Sequence, residues 1–342
     1  MMRVMSNHFG STLENLYGAI DLGTNTCRLL ISQMRSDGDI FKFSHVDSLS
    51  RIIRFGEGLQ ETKRLSAQSI DRAFLALAEC KKRLDFHGVT RFRCVATAAC
   101  RYAENTESFV QEALQKTGIK IEVIEPEEES RLAVAGCSEL FEAAKPYAIV
   151  LDIGGGSTEL VWVEVKSPKD FKIIDNLSFP YGFATLKEQL KDPETRDQIA
   201  AFFSSEVNEF SVKHGIHERV LKDQVQMIGA SGTITTLAAI TLSLDSYDKA
   251  RVHEARLYKS DIQRVISYLK ATRYADRAHH PCIGQQRADS IMGGVTLFEA
   301  VYDILDVEPI IAADRGVREG ILITLAKDDG EGQPKSQDGE KK

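Results

Sequence analysis

Val150-Leu151-Asp152-Ile153-Gly154-Gly155-Gly156-Ser157-Thr158 decides the fold, because Ala19-Ile20-Asp21-Leu22-Gly23-Thr24-Asn25-Thr26 follows the same plan earlier in the chain. Each stretch runs from an apolar strand into an aspartate, then into glycine and hydroxyl residues. The apolar pattern resumes after each turn, as Arg28-Leu29-Leu30-Ile31 and as Glu159-Leu160-Val161-Trp162-Val163. Each unit therefore reads as a β-hairpin with a polar, glycine-rich tip. Glycine lets successive backbone N–H groups converge on one point, and such a nest favours anions, phosphate above all. Two hairpins of one kind predict two similar lobes that grip a phosphate chain between them.

The order of elements around the hairpins is also repeated. In the first half a third strand is predicted near Ile40 to Val46, then a helix from about Ser66 to Arg83 with Ile70, Phe74, Leu77 and Leu84 at helical spacing. A strand over Arg91 to Ala96 ends in Thr97. A helix from Glu107 to Lys116, capped by Thr106 and closed by Gly118, precedes a strand over Ile119 to Ile124. In the second half a helix through Leu132 and Leu140 leads into the second hairpin, a strand near Phe171 to Phe179 and a helix from Arg196 to Lys213. The strand Val225 to Ile228 ends in a third turn, Gly229-Ala230-Ser231-Gly232-Thr233, which opens a helix. Further helices begin near Ser260 and Arg287, and strand Pro309 to Ala312 and helix Val317 to Ala326 end the fold. The domains expected are 17–133 with 308–326, and 134–307, with disordered ends at 1–16 and 327–342. A dinucleotide fingerprint needs its glycines to lead from a strand directly into a helix, and here a strand follows them. No GxxxxGK[ST] is present, so a P-loop is excluded as well.

With 342 residues, 43% hydrophobic and 27% charged, the chain has the composition of a soluble globular protein of about two domains. No run approaches the roughly 18 apolar residues of a membrane span. The first residues show neither the basic start nor the apolar core of a secretory signal, so a cytoplasmic protein is expected. Six cysteines lack any CxxC pair and read as free thiols. The net charge of −7 argues against a nucleic-acid partner. Between Lys249 and Arg287, however, lie Lys249, Arg251, Arg256, Lys259, Arg264, Lys270, Arg273, Arg277 and Arg287 against Glu254, Asp261 and Asp276. This is either a solvated helical face or a track for a polyanion. His214, His217, His279 and His280 lack zinc-like partner spacing and read as surface residues.

The chain resembles the exopolyphosphatase/guanosine pentaphosphate phosphatase (PPX/GppA) family, within the actin-like, sugar kinase and Hsp70 superfamily. The resemblance rests on Asp21 to Arg28, Ala96-Thr97-Ala98-Ala99-Cys100-Arg101, Glu128-Glu129-Ser130-Arg131, Asp152 to Leu160, Gly232-Thr233 and Arg318-Glu319-Gly320, in the family's order. Glu125-Pro126 stands where the family has Ser-Gly, and the third turn is poorer in glycine. The resemblance implies an α/β fold of two similar actin-like lobes with a cleft between them. It also implies Mg²⁺-dependent hydrolysis of the terminal phosphoanhydride of inorganic polyphosphate, with pppGpp as the alternative substrate. A related kinase and a nucleotide-binding scaffold are the competing readings. Stimulation by a monovalent cation and a homodimer belong to the same expectation.

Hydrolysis of a phosphoanhydride needs neutralised phosphate oxygens, an aligned water and a group that deprotonates it. By the resemblance, Gly23, Thr24, Asn25, Thr97, Gly154, Gly155, Gly156, Ser157, Gly232 and Thr233 bind phosphate. Arg28 and Arg101 act as clamps, since a guanidinium fork matches phosphate oxygens. Asp152 and Glu159 offer hard oxygens suited to Mg²⁺, although a strand-end Asp also commonly bonds its own turn. Glu129 is singled out as the base by its position before Arg131. Pro126-Glu127-Glu128-Glu129 also reads as the first turn of a helix, where proline and acids gather. The two readings of Glu129 are compatible, because a helix N-terminus favours the charged carboxylate that a base needs.

Overall fold

In the computed structural model, which describes residues 16–37, 40–186 and 192–332, both glycine-rich stretches are hairpin tips. β1 (Leu16–Leu22) pairs antiparallel with β2 (Thr26–Asp37), and the turn closes with the Gly23 amide donating to the Thr26 carbonyl at 2.9 Å. β6 (Tyr147–Ile153) and β7 (Thr158–Val165) form the same device, with the Gly154 amide donating to the Ser157 carbonyl at 2.9 Å.

The repeat extends to whole sheets. β3 (Ile40–Ile52), β4 (Arg91–Ala96) and β5 (Ile121–Val123) complete a five-stranded sheet in the order β3-β2-β1-β4-β5. β8 (Phe171–Phe179), β9 (Val225–Gly229), β10 (Arg256–Leu257) and β11 (Ile310–Ala312) complete a six-stranded sheet in the order β10-β11-β9-β6-β7-β8. In each, the hairpin's first strand lies parallel to the strand that follows a long helix. Those helices are Ala67–Phe86, capped by Ser66 accepting from the Ser69 amide, and Pro193–His214, capped by Asp192 accepting from the Thr195 amide. This is the duplicated actin-like arrangement. Each lobe has its own core, around Phe55, Leu77 and Phe109 in the first and Trp162, Phe203 and Phe298 in the second. Each such side chain contributes roughly 1.5–3 kcal/mol by burial.

Two helices link the lobes, Pro126–Cys137 on the way out and Val317–Gly332 on the way back. They cross in backbone contact: a Cβ on Gly136 would lie 2.0 Å from the Gly316 carbonyl oxygen, and one on Gly320 1.9 Å from that of Leu132. Only glycine fits at such a crossing.

Several boundaries differ from those read in the sequence. β3 runs on to Ile52, because its far end is an edge strand of alternating polar residues in which only Leu49 is fully buried. Thr106 is not the cap of its helix but its first residue, and its hydroxyl bonds the Cys100 carbonyl. Strand 310–312, assigned above to the first lobe, pairs with β9 in the second sheet, and only the helix after it returns to the first lobe. That helix runs to Gly332 rather than ending at Ala326, and Asp329 is held by the Tyr17 hydroxyl at 2.7 Å. The disorder expected at the two ends falls, for 1–15 and 333–342, outside the described residues. All six cysteines are buried free thiols. No helix among the described residues is long and apolar enough to cross a membrane.

Candidate active site

The two tips meet. A Cβ on Gly155 would lie 3.3 Å from the Asn25 amide nitrogen, and one on Gly156 would lie 2.2 Å from Thr24 Oγ1. Neighbouring segments tie back the tip carbonyls. The amides of Ile53 and Arg54 donate to the Asn25 carbonyl, that of Gly56 to Thr24, that of Phe183 to Gly154, and those of Ala184 and Thr185 to Gly155. The amide N–H groups of Asn25, Gly155 and Gly156 have no protein acceptor among the described residues, which is the nest that the sequence implied.

The tips line a cleft of about 380 Å³ between the lobes. Of the residues read from the sequence, Gly23, Thr24, Asn25, Arg28, Thr97, Glu129, Asp152, Gly154, Gly155, Gly156, Ser157, Gly232 and Thr233 all reach its wall. The third turn delivers the last two at the N-terminus of helix Gly232–Thr241, where the Ser231 hydroxyl caps the Ile234 amide at 3.2 Å. Helix polarity adds to the attraction for an anion there.

Two expected residues stand elsewhere. Arg101 lies behind Glu129 rather than on the cleft wall. Its Nη1 donates to Glu129 Oε2 and to the Ile124 carbonyl, both at 2.8 Å, while its Nε and Nη2 are buried without partners among the described residues. Glu159 is also one layer back, accepting from Ser178 Oγ at 3.3 Å. Both side chains are buried behind the cleft wall.

The cleft also holds residues that sequence reading did not select. Asp21 occupies in the first hairpin the place Asp152 has in the second, a parallel the repeat already contained. Arg318 and the buried Glu319 open helix Val317–Gly332, and Arg287 lies against the third turn. Arg287 and the rim residue Lys249 are the members of the cationic 249–287 stretch that line the cleft. Most of the others are paired: Arg256 with Glu142, Lys259 with Asp306, Arg264 with Asp261, Lys270 with Glu299 and Arg273 with Asp276. For these the solvated-face reading holds. The histidines are likewise occupied: His214 bonds Asp175, and His279 the Ala275 carbonyl.

Carboxylates crowd the floor. Burial, then the charges of Glu129 and Asp21, push Asp152 up to about 7, against the pull of Arg28. Burial raises Asp21 too, opposed by Arg28 and Arg318, and raises Glu129 against Arg101. Burial and the neighbouring Glu129 and Asp152 raise Glu159 well above the usual range. Arg28 is lowered by burial and by Arg318, two cations facing one space. Such a floor wants a cation, and such a rim wants an anion. Asp152 and Asp21 present hard oxygens to the cleft and suit Mg²⁺, which keeps several waters and shares phosphate oxygens rather than needing a closed protein cage. Among the described residues no three His, Cys, Asp or Glu side chains form such a cage.

The sequence profile of the Ppx/GppA phosphatase family matches residues 31–329. Exopolyphosphatase 2 of Mycobacterium tuberculosis is 30% identical over 324 residues, covering 90% of this chain and 98% of that protein. The guanosine-5'-triphosphate,3'-diphosphate pyrophosphatase of Aeromonas salmonicida is 27% identical over 316 residues, covering 91% of this chain and 59% of that protein. The crystal structure of the Aquifex aeolicus Ppx/GppA family member is 28% identical, covers 93% of this chain and 99% of that one, and superposes with a TM-score of 0.73. With the duplicated sheets, the facing tips and Glu129 on the cleft floor, these matches establish that the chain belongs to the Ppx/GppA phosphatase family.

Proposed function

We propose that this protein is a phosphoanhydride hydrolase that removes the terminal phosphate of inorganic polyphosphate. The observation that carries the reading is the placement of Glu129, paired with Arg101, on the floor of a cleft whose rim is two glycine-rich hairpin tips. The amides of Asn25, Gly155 and Gly156, the N-terminus of helix Gly232–Thr241, Arg28 and Arg318 would neutralise the phosphate oxygens. Glu129 takes a proton from a water as its oxygen bonds the terminal phosphorus. The anhydride P–O bond breaks and its electron pair stays on the shortened chain, leaving orthophosphate and a chain one unit shorter. Mg²⁺ held by Asp152 and Asp21 would supply charge neutralisation on the phosphate oxygens. Arg101 acts through Glu129, fixing its rotamer and favouring its charged form.

The pyrophosphatase relative supports pppGpp as an alternative substrate of the same cleft. Phosphate release with Mg²⁺ from long-chain polyphosphate, pppGpp and ATP at equal terminal-phosphate concentration tests the reading. Faster release from polyphosphate supports it, preference for pppGpp reassigns the substrate, and no release from any of them by folded protein rejects it.

A further inference from the structure

An acid and a tyrosine, Asp314 and Tyr247, stand on the cleft wall beside the third glycine turn, away from the crowded carboxylates of the floor. Arg287 leans over that turn: its Cζ is 3.9 Å from where a Cβ on Gly232 would lie. Among the described residues its side chain makes one hydrogen bond, from Nη1 to Thr236 Oγ1 at 2.8 Å. That hydroxyl itself donates to the Gly232 carbonyl at 2.7 Å. One bond to a hydroxyl leaves a long, flexible arginine stem with much rotational freedom, and freedom lost on binding costs affinity.

The Tyr247 ring supplies the missing constraint. The Arg287 Cζ lies 5.3 Å from the ring centroid, within cation–π range. The ring is anchored in turn, because the Tyr247 hydroxyl donates to Asp314 Oδ1 at 2.9 Å. Burial and Asp314 push that hydroxyl up to about 12, so it remains a donor across the working pH range. Lys249 Nζ, 3.7 Å from Asp314 Oδ2, offsets the carboxylate's charge. An acid is tolerable among phosphates when its charge is already engaged.

We propose that Tyr247, anchored by Asp314, is a positioning residue that holds the Arg287 guanidinium over the Gly232–Thr233 turn, ready for a substrate phosphate. This rests on the reading of the cleft as a polyphosphate site. Tyr247 touches no reacting atom and acts through Arg287.

The test is a double-mutant cycle on the full chain with Tyr247→Leu, Arg287→Met and the pair. KM and kcat are read with inorganic tripolyphosphate and Mg²⁺, alongside tripolyphosphate binding by calorimetry and the melting temperature. Tyr247→Leu is expected to raise KM and Kd about 3- to 30-fold, the range a cation–π contact supports, with kcat changed by less than about twofold. In the Arg287→Met background, which has no cation for the ring, the same change is expected to add nothing. Tyr247→Phe, which keeps the ring and loses the anchor, falls between. If Tyr247→Leu loses its native melting transition, Tyr247→Phe and Asp314→Asn carry the test, each with a smaller rise in KM that vanishes beside Arg287→Met. Equal effects in both backgrounds, or an unchanged KM in a folded variant, overturn the positioning role. A wild-type protein that neither binds nor hydrolyses tripolyphosphate overturns the functional reading itself.

Discussion

Replacing Asp152 by Asn should inactivate the protein and stabilise it. The carboxyl is driven from its ordinary 3.8 to about 7 by burial and by the charges of Glu129 and Asp21. A raised acid pKa means that the folded state prefers the protonated form, so ionisation costs stability. The sign follows from linkage. Below about pH 4 both the folded and unfolded states hold the proton and there is no cost. Between about 4 and 7 the unfolded chain gives up the proton first and stability falls as pH rises. Above about 7 the cost is complete.

The span from 3.8 to about 7, at roughly 1.4 kcal/mol per unit, sets an upper bound of about 4 kcal/mol. Asp152 faces the cleft and shares its protons with neighbouring acids, so screening reduces this to about 1–3 kcal/mol. Asparagine keeps the shape of the protonated acid and carries no charge. Melting at pH 8 should therefore rise by about 2–6 °C in Asp152→Asn, while at pH 4 the variant and parent should melt within about 1 °C of each other. Added Mg²⁺ should raise the parent's melting temperature at pH 8 and leave the variant nearly unmoved. Equal or lower stability of the variant at pH 8, or a difference that does not grow with pH, would refute the electrostatic account.

Glu129→Gln should lower kcat by about 10²–10⁴-fold, as loss of a general base does, with circular dichroism and melting showing an intact fold. Arg101→Met removes the cation that holds down the Glu129 carboxyl, so the acid limb of the kcat/KM profile should move to higher pH, a shift a purely structural residue would not produce. Gly320→Ala places a methyl 1.9 Å from the backbone oxygen of Leu132, where no side chain can yield. A loss of about 3 kcal/mol or more in urea unfolding is expected, and an unchanged midpoint would show that the helix pair separates freely. Lys270→Ala with Arg273→Ala, whose charges face Glu299 and Asp276, should leave KM for long polyphosphate within about twofold, and a large rise would reinstate the polyanion track.

The hairpin tips were legible because the information is local. A strand, an aspartate, glycines and a second strand specify one turn, and the turn fixes where Thr24, Asn25, Gly155 and Ser157 stand. Arg101 was not legible to the same depth. Whether it meets phosphate or Glu129 depends on how helix Ala98–Tyr102 packs against helix Pro126–Cys137, a contact between segments with no shared local pattern. Arg318 and Arg287 lie far along the chain from the tips, and only the fold brings them to the cleft. Strand 310–312 was misassigned for a related reason. Three apolar residues announce a strand but not its partner, and here the partner is chosen by the duplicated sheet order, which puts β11 beside β9 as β5 lies beside β4.

The division of labour between sheets and linking helices explains why Gly136 and Gly320 stand where the linking helices cross. The tips belong one to each lobe, so their spacing depends on how the lobes sit together. Glu129, in contrast, stands on the first turn of helix Pro126–Cys137, and Arg318 on the first turn of helix Val317–Gly332. The contacts of Gly136 with Gly316 and of Gly320 with Leu132 lock these two helices backbone to backbone. Glu129 and Arg318 are thus fixed relative to each other by backbone-to-backbone contact. The penalty of crowding Asp21, Asp152, Glu129 and Glu159 around that point can be borne because it falls where the backbone cannot relax away from it.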